Sequence, residues 1–126
     1  MTIDKVLQWL QSNISAPKWY AGRLASPGEQ TLVVYNGRAF TNPRAIGGLS
    51  SYGGKGLRVL IHWTKDLLAT EIKAQEVYEF LMTATGTIDN KRIIDVLMRE
   101  PEPVYLGADE EGIFEYVIDA ELILEK

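Results

Sequence analysis

The chain has no cysteine and a single histidine among its 126 residues. Without thiols there are no disulfides, no zinc–thiolate or iron–sulfur sites and no thiol nucleophile, and one imidazole cannot build a histidine cage for a metal. No metal, cofactor or catalytic constellation is therefore expected. A surplus of positive charge is also missing: 13 Lys and Arg stand against 17 Asp and Glu, for a net charge of −4 and a pI near 5.0. That balance argues against sequence-specific nucleic-acid recognition, because binding to phosphates needs clustered cations. Long apolar runs are absent too, since none approaches about 18 residues. Gln8, Gln11 and Ser12 interrupt the opening apolar positions, which does not suit a signal-peptide core. The expectation is a soluble protein with no recognisable export signal and no membrane association, and the lack of disulfides fits a reducing compartment.

What remains suits one domain over residues 1–126. Ile3, Val6, Leu7 and Leu10 recur at helical spacing behind Thr2 as a candidate cap, and Asn13 with Ser15-Ala16-Pro17 ends that helix. Signals from Lys18 to Gln30 are mixed, with Trp19 and Tyr20 compatible with strand before Gly22 and Ser26-Pro27-Gly28. Thr31–Tyr35 reads as a short β-branched strand closing at Asn36-Gly37. Residues 36–56, with six glycines, read as a long flexible loop and so as the first place to look for a partner surface.

Leu57–Trp63 then reads as a buried strand, and a helix is predicted from about Lys65 to Thr83. Its Leu67, Ala74, Val77, Tyr78 and Leu81 form one face, while Glu71, Lys73, Gln75, Glu76 and Glu79 are directed to solvent. Arg92–Met98 follows a tight turn at Asp89-Asn90, and Pro101 and Pro103 mark the exit from that strand. In the last strand, Ile113–Leu124, Phe114, Tyr116, Ile118, Ala120, Leu122 and Leu124 share one face, and Glu115, Asp119 and Glu121 the other. The order α-β-β-α-β-β predicts an α+β domain, an antiparallel or mixed sheet with helices on one face.

Few residues invite chemistry. Gly48 and Gly53 have the glycine spacing of a phosphate loop, but Gly54 precedes Lys55, Gly56 stands where Ser or Thr belongs, and a strand follows instead of a helix. His62 has no partner fixed by spacing and reads as a half-exposed strand residue. The turn Asp109-Glu110-Glu111-Gly112 lacks the length and alternating oxygens of a calcium loop and reads as a solvated turn with Gly112 at positive φ. Arg38, Arg44, Lys55 and Arg58 concentrate positive charge in or beside the glycine-rich segment of an acidic chain, which suits docking. Tyr52 joins them, and Trp9 lies off the stripe of its helix, as an interface anchor or a core residue.

From Leu57 onward the chain resembles the small minor capsid proteins of tailed bacteriophages and prophages, which are similar to tail terminators. The resemblance is carried by Ile72–Leu81 (IKAQEVYEFL), by Pro101–Leu122, and most specifically by Pro103-Val104-Tyr105-Leu106-Gly107-Ala108-Asp109-Glu110-Glu111-Gly112. It implies a structural virion protein without enzymatic activity, assembled in the host bacterial cytoplasm. It further implies a ring, commonly a hexamer, that caps the tail tube protein, meets head–tail connector proteins and lets DNA pass without reading it. The loop from Arg38 to Lys55 would become ordered against the tube or a neighbouring subunit. The alternatives are another neck, head-closure or tail-completion protein and, ranked below it, a small-ligand enzyme using the loop as a lid over His62, Arg58 and a carboxylate.

Overall fold

The computed structural model describes residues 1–24, 28–38 and 52–125. In chain order the elements are α1 (Ile3–Asn13), β1 (Lys18–Ala21), β2 (Thr31–Asn36), β3 (Tyr52–His62), α2 (Leu67–Met82), β4 (Thr87–Ile88), β5 (Lys91–Met98), β6 (Val104–Ala108) and β7 (Phe114–Glu125). The domain is α+β. All the described strands join one mixed sheet in the order β1-β2-β3-β7-β5-β4, with β6 also on β7. Among the described strands, β1 and β2 pair in parallel and every other pairing is antiparallel.

β3 and β7 form the spine of the sheet, paired without a break from Tyr52↔Glu125 to His62↔Glu115. The far edge of β7 is shared by β5, opposite Ala120–Leu124, and by β6, opposite Phe114–Val117. β6 thus resumes the line of β5 after an excursion at Glu100–Pro103. Its two prolines lack the N–H that a ladder requires. Tyr78 of α2 anchors the excursion, its hydroxyl donating to the Glu100 carbonyl at 2.8 Å.

Alternation along the strands decides which side chains meet the helices. Leu32, Val34, Leu57, Val59, Ile61, Ile118 and Leu122 form one cluster with Val6 and Leu10 of α1 and Ala74, Val77 and Leu81 of α2. α1 packs on β1, β2 and β4, strands near opposite ends of the sheet, so the sheet curls around it. Asp89 and Asn90 both have positive φ (50° and 64°), the conformation of a two-residue hairpin turn, as their side chains suggest.

Several expectations need correction. Among the described residues nine elements stand where six were anticipated, because β1, β4 and β6 are too short for periodicity to reveal. Tyr52–Gly56, expected in the loop, are strand: their backbone pairs with Glu121–Glu125, and that ladder outweighs the weak strand preference of glycine. Residues 39–51 of that expected loop, Arg44 included, lie outside the described residues. Thr2 stands at the N-cap of α1, but its side chain makes no capping bond and its hydroxyl donates to Asp4 instead. α2 begins later than predicted, at Leu67, because the Asp66 carboxylate accepts from the Leu68 amide at 3.0 Å and fixes the helix start there. Leu67 is exposed, whereas Lys73, expected in solvent, is buried: its ammonium donates to the Ser15 carbonyl and to Glu76 and lies 5.0 Å from the ring centroid of Trp63. Glu121, expected on an open face, is fully buried.

Gly37 marks a close approach of two segments of the chain. Its amide donates to the Gly56 carbonyl at 3.0 Å, and a Cβ placed on it would lie 2.7 Å from backbone atoms of Leu57. Backbone cannot move aside as a side-chain tip can, so Gly37→Ala is expected to destabilise the fold by about 1–3 kcal/mol. Urea unfolding of the two proteins measures the difference, and an unchanged midpoint would contradict the close approach.

Candidate functional site

On the sheet face opposite the helices, Arg58, Leu60, Val117 and Asp119 alternate with the core residues of β3 and β7 and floor an open cavity of about 810 Å³. Tyr35, Asn36, Gly37 and Arg38 border it from the end of β2, with Arg99 and Leu106 from the segments after β5 and in β6. Arg58 and Asp119 are register partners. Their ion pair is bidentate, Nε donating to Oδ1 at 2.7 Å and Nη2 to Oδ2 at 3.1 Å, so the guanidinium stands in a fixed plane with donors to spare. The Arg58 side chain is 54% exposed and Asp119 is only 19% exposed, which leaves the positive partner facing outward. Arg38 is exposed and makes no ion pair among the described residues. The lining therefore combines apolar Leu60, Leu106 and Val117 with three arginines and one aspartate, a net positive charge.

His62 lies at the end of β3, on the same side of the strand as Arg58 but outside the lining of the cavity. Its ring is fully buried, where a half-exposed residue was expected. Nδ1 faces the Gly28 carbonyl and Nε2 faces Asp109 Oδ2, both at 2.7 Å. Two acceptors are satisfied together only when both ring nitrogens carry hydrogen. Asp109 Oδ1 in turn accepts the amides of Glu111 at 2.9 Å and Ile113 at 3.0 Å. The His62 bond, aided by these amides, holds the Asp109 carboxyl below its usual range. Burial pushes its neighbour Glu115, the register partner of His62, upward. Gly112 has the expected positive φ, 84°, and closes the turn. This network ties three segments together. The enzyme alternative required His62 to converge with Arg58 and a carboxylate in one pocket, and only Arg58 and Asp119 meet in the cavity.

A second surface lies on α2. Leu68 is 63% exposed and Ile72 60% exposed, one turn apart, with Glu71, Gln75, Glu76 and Glu79 around them. Trp9 does not reach this surface as a free anchor: it is half-buried and its ring meets Phe80 of α2 at a tilt of 46°, centroids 5.1 Å apart, joining the two helices.

The remaining sequence candidates scatter. Tyr52 is half-buried at the start of β3, and the ammonium of Lys55 donates to Asn36. By strand alternation Lys55 belongs to the face of Leu57, opposite Arg58, so the described basic residues among the candidates do not form one patch. Arg38 and Arg58 are brought together; Lys55 is not. Tyr35, Arg99, Leu106 and Asp119 were missed as site residues. Asp119 carried a readable signal, a carboxylate on the polar side of β7, but its pairing with Arg58 depends on a register between strands some 60 residues apart.

Among the described residues no group of three or more His, Asp or Glu side chains is placed to hold a metal ion, and no helix is long and apolar enough to cross a membrane. The domain that carries these surfaces belongs with the structural, tail-related proteins of bacteriophages. Residues 11–126 match the family described as bacteriophage tail terminator protein, and the chain belongs to that family. Comparisons with curated proteins and with solved structures give no match.

Proposed function

We propose that this protein caps the tail tube as a ring of identical subunits, halts tube polymerisation and offers the surface that head–tail connector proteins join. The match of residues 11–126 to the tail terminator family carries this reading. The fold supplies a physical complement: the domain exposes two unlike surfaces on opposite sides of one sheet, and head-to-tail contacts between unlike surfaces close into rings when the rotation allows. Assembly takes place in the bacterial cytoplasm, and the ring leaves a channel through which DNA passes without base recognition.

Light scattering coupled to size exclusion, with and without purified tail tubes, tests the proposal. A discrete ring, or a subunit that assembles only on tube ends, is the expected result. In infected cells lacking the protein, tails of unregulated length that fail to join heads are expected. Tails of normal length that stay unjoined would instead assign the protein to head closure.

A further inference from the structure

We propose that the cationic cavity of one subunit receives the outer face of α2 from the next copy of this chain. The proposal rests on the ring reading above and identifies the surfaces that hold the ring together.

Charge gives the first reason for this occupant. α2 carries Glu71, Glu76 and Glu79, and its only cation, Lys73, is turned inward. Lys73 also pairs with Glu76 at 2.9 Å, so Glu71 and Glu79 carry the negative charge of the outer surface, opposite in sign to a cavity lined by three arginines and one aspartate. Apolar surface gives the second. Leu68 and Ile72 stand exposed side by side on α2, and Leu106, 54% exposed, stands beside the floor of Leu60 and Val117 in the cavity. Acidic and apolar groups together on the helix find cationic and apolar groups together in the cavity, a match in both terms.

Position supplies the third reason. Arg58, Leu60, Val117 and Asp119 occupy the strand positions that alternate with the helix-facing core, so the cavity lies across the sheet from α2. A subunit cannot fill its own cavity with its own helix. Each copy presents a helix on one side and a cavity on the other, the arrangement that a repeating head-to-tail contact needs.

Charge reversal on exposed positions tests this on the full chain. Arg38→Glu and Glu79→Arg are both outside the core, so thermal melts should match the wild type. By sedimentation, with tail tubes supplied if the wild type needs them, each variant alone should assemble at least tenfold more weakly. An equimolar mixture should recover assembly, because rings in which the two variants alternate carry a native contact and a charge-reversed one in turn and are free of like-charge contacts. Wild-type rings that both variants also form, or weakened variants that do not recover on mixing, would overturn the contact while leaving the ring intact. A wild-type chain that stays monomeric with and without tubes would overturn the ring and the contact together.

Discussion

Leu122→Ala is expected to destabilise the protein by about 3–5 kcal/mol, a large share of the roughly 5–15 kcal/mol by which a domain is stable. Leu122 is fully buried in β7, paired with Lys55 of β3 on one side and Val96 of β5 on the other. Its side chain belongs to the cluster that the two helices share with the sheet. Truncation removes apolar contacts and leaves a void bounded by strands paired on both sides, which cannot close in. Differential scanning calorimetry checks the outcome. A shift in Tm of only a degree or two would mean that the space collapses and that the centre of the sheet is more deformable than its unbroken register implies.

His62→Leu should cost about 1–3 kcal/mol, since a fully buried ring gives up a hydrogen bond to a carboxylate and another to a carbonyl, both acceptors being half-buried. The Gly28 carbonyl and Asp109 Oδ2 would both lose the ring as a partner, while Asp109 Oδ1 keeps the amides of Glu111 and Ile113. A change in acid stability should accompany the loss. The folded Asp109 carboxyl sits below its usual value of 3.8, first through His62 and then through the amides of Ile113 and Glu111. A carboxyl depressed in the folded state contributes stability that is fully present above its unfolded value and is lost as pH falls through the folded one. The wild type should therefore lose this contribution below pH 3.8, and His62→Leu should have less of it to lose. Asp109→Asn should flatten the same acid limb while keeping an acceptor for the two amides. Unfolding midpoints measured from neutral pH into acid distinguish the cases, and parallel curves for all three proteins would show that the pair contributes no pH-dependent stability.

Local chemistry made some of this fold legible in the sequence. The β-branched run at Thr31–Tyr35, the left-handed pair Asp89-Asn90 and the glycine at 112 each needed only their own residues, and each is found where it was expected. What escaped prediction depends on partners distant in the chain. Lys18–Ala21 is a strand because β2 lies beside it, and Gly53, Gly54 and Gly56 are strand because β7 does. Lys73 reads as a solvent residue until Ser15 and Trp63 are brought to it by the packing of α1 against the sheet. The candidate site was half legible for the same reason. Arg38 and Arg58 could be picked out by charge, but Asp119, Arg99 and Leu106 become their neighbours only through the pairing of β7 with three other strands.

The placement of β7 also orders events during synthesis. β3 is made early, yet its partner, Phe114–Glu125, comes more than 50 residues later. Until that segment has been synthesised, β3 has one side of its ladder open, α2 has little sheet to rest on, and Arg58 has no carboxylate to fix its plane. Pairing over such a separation makes folding slow relative to a local hairpin. It also means that the cavity between β3 and β7 exists only once the last strand has been made and paired, so any contact that uses it, the proposed one included, can form only on a chain whose sheet is complete.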